Sequence, residues 1–225
     1  MKIQRYVRPT TLDEAYSLMR DEKGFPIAGG AWSRMNTRTV DLAVDLSSLD
    51  LRYISKKSNH IEIGAMTTAR DIETSSELRE AFGTMFADSV SHIVGVQLRN
   101  IVTVGGTVAG KYGFSDLLTS LLALDAKVVL YEGETRALSD FLGDKTKDPK
   151  LLEKVLIETG NVQGAYTALR KTHTDFAVLN AAAAYRDGAW RIAVGARPGA
   201  AQLSEKAGEV LGSEKKPEGA RAEEA

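Results

Sequence analysis

The sequence predicts an α+β fold of two lobes with a strand-rich segment beyond a linker, and three observations carry that prediction. Short β-type runs alternate with helical patterns through residues 1–145. Two glycine pairs, Gly29-Gly30 and Gly105-Gly106, each close an apolar run. Beyond a charged, turn-rich stretch at 143–150, the pattern changes to antiparallel strands with hairpin signals. A chain of 225 residues has room for one large core or two modest ones. The expected divisions are 1–145, with lobes at 1–55 and 56–145, and 150–225.

Taken in order, a β-type start through Tyr6 and Val7 precedes Thr11, which stands three positions before Glu14 and caps a helix running to about Asp21. The runs Val40–Leu46, Leu51–Lys56 and His60–Ala65 are separated by Ser, Asp and Asn turn signals and read as strands. Thr67-Thr68 opens a second helix, and Glu77–Phe82 with Met85–Ile93 supply more, apolar at helical spacing. Ser115 or Asp116 caps an apolar helix ending near Asp125, and residues 126–131 form a strand. Past the 143–150 linker, Leu151–Glu158, Ala165–Arg170, Phe176–Tyr185 and Trp190–Ala196 read as strands of a meander, with a hairpin turn at Asp187-Gly188. The tail from Ser213 to Ala225 buries nothing by itself, so it is either disordered or the start of an interrupted helix.

Composition excludes several classes of function. The 29 basic and 30 acidic residues nearly cancel, so no global field favours nucleic acid or an anionic membrane. No apolar run reaches membrane-spanning length and the first residues lack the apolar core of a signal peptide, which points to the cytoplasm. With no cysteine, the chain holds no disulfide, thiol nucleophile or cysteine-ligated cluster. His60, His92 and His173 fit no metal-ligand spacing. The charges at 145–150 read as a solvated loop.

Each glycine pair reads as a strand entering a tight turn, a geometry that aims successive backbone N–H groups at one anion. A lone pair more often serves a turn or bulge, but two in similar settings suggest a two-sided diphosphate cradle. Neither has the Gly-x-Gly-x-x-Gly spacing of a dinucleotide-binding βαβ turn or the Gly-Lys-Ser/Thr ending of a P-loop. A stably held dinucleotide suits such a cradle.

Ala28-Gly29-Gly30, Asp45-Leu46-Ser47, Ile63-Gly64-Ala65-x-Thr67-Thr68, Gln97-x-Arg99-Asn100, Thr103-Val104-Gly105-Gly106, Ser115-Asp116 and Leu122-Ala123-Leu124-Asp125-Ala126 occur in this order. In that arrangement the chain, from Tyr6 to about Leu211, resembles the FAD-binding (medium) subunit of the molybdenum hydroxylases. Xanthine, nicotinate and carbon monoxide dehydrogenases belong to that family. The resemblance implies a two-lobed FAD-binding domain of the vanillyl-alcohol-oxidase/PCMH type and a smaller α+β C-terminal domain, short at its end here. It implies non-covalent FAD lying between the lobes. Ile27, Ala28, Gly29, Gly30, Ala31, Trp32, Ser33 and Arg34, with Thr103, Val104, Gly105, Gly106 and Thr107, would contact its diphosphate and flavin side. Ser115 and Asp116 complete the set, Asp116 accepting a hydrogen bond from the ribose or adenine side.

The resemblance further implies partners: a large subunit with the molybdenum cofactor, which hydroxylates a heterocycle or aldehyde, and a small subunit with 2Fe–2S clusters. The FAD of this chain would pass their electrons to NAD or another acceptor, so no catalytic side chain or metal is expected here. Departures from the family pattern are Ala31-Trp32 after the first glycine pair, Thr107 after the second, and Lys111-Tyr112-Gly113 beyond it. The last resembles purine- and nicotinate-type members. Trp32 either stacks on the cofactor or packs the lobes. A lysine of some relatives near Tyr166 is missing, with Lys171 its nearest replacement. The segment Gln97-Leu98-Arg99-Asn100 either docks a redox partner or, as the stronger reading, ties down backbone carbonyls through its arginine. Two other classes stay open, a stand-alone flavin reductase of this fold and a non-redox nucleotide-binding module.

Overall fold

The computed structural model describes residues 1–146, 150–196 and 199–213. The expected tail from 214 onward and the centre of the charged loop, 147–149, lie outside the described residues.

The first lobe is a three-stranded parallel sheet in the order β1-β3-β2, formed by Lys2–Val7 (β1), Phe25–Ile27 (β2) and Thr39–Asp45 (β3). Helix α1 (Leu12–Asp21) makes the crossover from β1 to β2. Its cap is Thr11, whose hydroxyl accepts the Glu14 N–H, and it buries Ala15 and Met19.

The second lobe is a five-stranded sheet with the order β4-β5-β8-β6-β7. Between β4 (Ile54–Lys56) with β5 (His60–Gly64) and the rest of the sheet lies a run of helices. These are α2 (Ala69–Thr74), α3 (Ser76–Phe82), α4 (Met85–Ser91), α5 (Val96–Arg99), α6 (Val104–Gly110) and α7 (Asp116–Ala123). The chain then returns through β6 (Lys127–Leu130), β7 (Thr135–Ala137), α8 (Leu138–Gly143) and β8 (Leu152–Glu158).

Strand β8 corrects the expected division of the chain. It pairs with β5 on one side and β6 on the other, so it belongs to the second lobe and not to a C-terminal meander. Its buried Val155 and Ile157 sit in the same core as Ile61 and Ile63 of β5. The Lys154–Glu62 pair at 2.9 Å ties the two strands from the outside.

The remaining strands, β9 (Val162–Leu169), β10 (Leu179–Arg186), β11 (Ala189–Gly195) and β12 (Gln202–Leu203), form an antiparallel sheet ordered β12-β11-β10-β9. The β10–β11 hairpin turns at Asp187-Gly188, both with positive φ, as that dipeptide requires. Helix α9 (Glu205–Ser213) packs on β11.

One continuous core joins this sheet to the second lobe. Helix α7 is buried along its whole length, its leucines in the core and its polar Asp116, Thr119 and Ser120 enclosed with them. It packs on α4 and on β10 and β11. The face of β10 that meets it carries Asn180, Ala182 and Ala184, small residues that let the helix come close.

Candidate cofactor site

A cavity of about 750 Å³ opens where the first lobe, helices α5 to α7 and the end of β9 converge. It is lined by Ala28 to Arg34, Thr103, Gly105, Gly106, Thr107, Ser115 and Asp116. The structure thus gathers thirteen of the fifteen expected site residues into one lining (7 at 28–34, 4 at 103–107, 2 at 115–116). The other two, Ile27 in β2 and the buried Val104 in α6, stand behind it.

The first glycine segment leaves β2 as an irregular turn. Gly29 is required by contact: a Cβ there would lie 1.6 Å from the Ile101 carbonyl oxygen, so the two glycine segments meet backbone to backbone. Gly30 is required by conformation, with φ of +71° and open space where a Cβ would stand. Among the described residues, the N–H groups of Gly29, Gly30, Ala31 and Trp32 donate to no group in the protein. Four adjacent open donors in residues that line a cavity are the kind of concave donor set that holds an oxyanion.

The second segment differs from its expectation. Residues 101–104 form no strand, and the glycine pair lies in the first turn of α6. The cause is local: the Thr103 hydroxyl accepts the Gly106 N–H at 3.1 Å, capping the helix. The Val104 and Gly105 N–H groups donate to the Thr67 and Ala65 carbonyls, and the Thr107 N–H to that of Thr103. Every N–H from 104 to 107 is therefore occupied inside the fold. Gly105 packs so closely on Ala65 that a Cβ would lie 2.8 Å from that residue's Cβ. This side of the cavity offers shape rather than open backbone donors.

Ser115 caps α7, its hydroxyl accepting the Leu118 N–H at 3.2 Å. Asp116, expected to face a ribose, has its acceptors engaged within the protein. Its Oδ1 accepts the Tyr166 hydroxyl at 2.5 Å and the Asn180 amide at 2.8 Å. Its Oδ2 lies 2.8 Å from Arg170 Nη2, both side chains more than nine-tenths buried. Asn180 accepts in turn from Thr119 at 2.8 Å. Burial first, and the Asp116 charge second, push the Tyr166 phenol upward, so it stays a proton donor to that carboxylate. The cluster fastens α7 to β9 and β10.

Trp32 is 43% exposed and touches three rings, Phe114 at 5.0 Å, Tyr112 at 5.7 Å and Phe176 at 6.1 Å. Phe114 and Phe176 are 4.5 Å apart, so an aromatic rim links the first glycine segment, the 112–114 turn and the β9–β10 connection. Arg99 answers its open question: its guanidinium donates to both Glu73 carboxylate oxygens, at 2.8 and 3.2 Å, and to the Ile93 carbonyl at 3.3 Å. It is an anchor for α5. Sequence reasoning missed Arg170, His92 and Phe176 as cavity residues, because each reaches the lining from a distant element and none carries a local motif.

Cavity size, glycine-only backbone contact and open donors fit an extended dinucleotide. Residues 1–159 match the family described as the FAD binding domain in molybdopterin dehydrogenase. The chain belongs to that family, as an FAD-binding flavoprotein component of an oxidoreductase. Its relatives include the Uncharacterized protein YgfM of Escherichia coli (strain K12), 29% identical over 193 residues, spanning 82% of this chain and 71% of that one. The Nicotinate dehydrogenase FAD-subunit of Eubacterium barkeri is 33% identical over 138 residues, 58% of this chain and 46% of that one. Among solved structures, the cyanide-inactivated Cu,Mo-CO dehydrogenase aligns with a TM-score of 0.83 at 25% identity, covering 93% of this chain and 80% of that one. Quinoline 2-oxidoreductase from Pseudomonas putida 86, at 22% identity and TM-score 0.83 over 94% of this chain and 80% of that one, shows the same fold. No helix among the described residues is long and apolar enough to cross a membrane.

Proposed function

We propose that this chain is the electron-transfer medium subunit of a molybdenum-cofactor hydroxylase of the xanthine or nicotinate dehydrogenase type. In this reading, a large subunit carries the molybdenum cofactor and a small subunit carries the 2Fe–2S clusters. Electrons from those clusters reach FAD in the cavity and leave to NAD or another acceptor. FAD supplies the electron-carrying chemistry, while the protein binds and orients it and excludes water.

The observation that carries the reading is the set of open N–H groups at 29–32, held against the second segment by the Gly29–Ile101 contact. These donors would take the diphosphate. Gly106 and Thr107 would form the opposite wall, and Trp32, Ser33, Arg34 and Ser115 the flanks of the groove. Asp116 would act behind the cofactor by orienting Arg170. No histidine lies in either glycine segment, in keeping with reversible rather than covalent attachment.

The purified protein should show the two visible absorption bands of oxidised flavin, and acid should release the flavin as intact FAD. Affinity capture from the native cell should bring down two further chains together with molybdenum and iron. A colourless, solitary protein would overturn the proposal. A yellow protein without partners would favour a stand-alone reductase.

A further inference from the structure

The connection from α4 to α5 carries a backbone conformation that its sequence resists. Helix α4 ends at Ser91 with His92 as its cap, and the turn that follows places Val94 at φ +43°. Helix ends commonly use glycine for such a left-handed position, because a Cβ crowds the backbone there and a branched one crowds it most. A glycine stands one residue away, yet Gly95 is extended, with φ of −143°. Among the described non-glycine residues with positive φ, the others are Lys, Asp, Glu and Ala, and Val94 is the one branched at Cβ.

Both flanks of Val94 are fixed. The Ile93 N–H donates to the Val90 carbonyl at 3.0 Å, and the Ile93 carbonyl accepts from Arg99. On the other side, the Gly95 carbonyl accepts the Leu98 and Arg99 N–H groups, each at 3.0 Å. The chain reversal between these fixed points falls on Val94. Its side chain contributes little to the fold: it is 53% exposed and lies outside the hydrophobic cluster that takes in its neighbour Ile93. It does line the cofactor cavity, in an apolar strip with Ile93, Leu98, Ile101 and Val102 that adjoins the open donors through the Gly29–Ile101 contact. Strained backbone of this kind clusters where a ligand is clamped.

We propose that Val94 covers an aromatic ring system of the bound dinucleotide, and that its left-handed backbone is the cost of placing an apolar side chain at that point of the cavity. The inference rests on the flavoprotein reading and adds a binding residue outside both glycine segments. A half-exposed valine gains burial only when a flat apolar surface enters beside it, which a diphosphate does not offer. The flavin and adenine ends of the dinucleotide share that surface chemistry. Glycine at 94 would suit the backbone better and the ligand worse.

The test sets stability against cofactor retention in the complete chain. Val94→Gly and Val94→Asn both relieve the strain and remove the cover. Each apoprotein should unfold at a urea midpoint no lower than that of the wild type. FAD should nevertheless leave each variant about three- to tenfold faster, read from the rise in flavin fluorescence after dilution. Val94→Ile keeps the branched apolar side chain and should release FAD at the wild-type rate. Two further measurements tell the ends of the dinucleotide apart. Stronger iodide quenching of bound flavin in Val94→Gly places the valine over the flavin, and weaker ADP binding with unchanged quenching places it over the adenine; either supports the proposal. Wild-type release rates in both Val94→Gly and Val94→Asn would overturn it, and so would lowered midpoints in both, which would make Val94 a packing residue. A wild-type chain that holds no FAD would instead sink the reading beneath it, while the apoprotein midpoints would still report the strain.

Discussion

The two walls of the cavity are built on opposite principles. The wall from residues 28–33 keeps four successive N–H groups open, and one of its glycines adopts a left-handed conformation with nothing beside it. The wall from residues 103–107 and 115–116 has the N–H groups of 104–107 and of Ser115, and the Asp116 carboxylate, engaged within the fold. Similar glycine pairs therefore sit in different settings: one leaves its donors unpaired in the cavity lining, the other lets a helix start pack against the Ala65–Thr68 strip. Substitutions in the engaged wall should act first on stability, and those in the open wall first on FAD affinity.

The largest effect that would sharpen this contrast is expected from Asp116→Ala. It removes the acceptor of Tyr166 and Asn180 and leaves the Arg170 charge buried without its partner. Breaking a buried pair from one side costs about 3–5 kcal/mol. Urea unfolding monitored by circular dichroism should show that loss with or without FAD. A stable Asp116→Ala protein that fails only in FAD binding would return Asp116 to a direct cofactor role and break the contrast.

Gly105→Ala comes next. Its new methyl must displace Ala65, and overpacking of this kind costs about 1–3 kcal/mol. Gly30→Ala meets no neighbour, and its penalty is conformational, about 1–2 kcal/mol for an alanine held left-handed. The pair separates the walls in equilibrium dialysis against FAD. The affinity loss, scaled to the stability loss, should be larger for Gly30→Ala, because relaxing its φ re-aims the open donors. The reverse order would show that the first segment is only a turn.

Much of this arrangement was legible in the chain. Thr11, Thr68 and Ser115 cap the helices that their positions announce, and Asp187-Gly188 makes its hairpin. Thirteen of the residues that the family pattern singled out line one cavity. What could not be read was pairing at long range. Strand β8 looks like its successors in composition, and only its register with β5 and β6 assigns it to the second lobe. The same limit hid the role of Asp116: Tyr166 lies 50 positions away and Asn180 lies 64. Gly105-Gly106 reads as a turn after a strand because glycine disfavours helix interiors, yet the Thr103 cap and the bonds to 65–67 outweigh that propensity.

The smallest expected effect concerns the piece that holds the two walls together. Ile101, against which Gly29 packs, follows α5, and α5 is anchored by Arg99 on Glu73. Burial pushes the Glu73 carboxyl upward, but hydrogen bonds from Arg70 and Arg99 outweigh it and hold the group below its ordinary value of 4.5. A carboxylate depressed in the folded state stabilises it above its unfolded pKa, and that contribution fades as pH falls through the lowered value. Acid should therefore loosen the α5 anchor before the core. With FAD bound at neutral pH and the sample then titrated downward, flavin release should begin at a higher pH in Glu73→Gln than in the wild type. That variant already lacks the charged pair, so its release should also depend less steeply on pH. Identical release curves would mean that the Gly29–Ile101 contact stands without the Arg99 anchor.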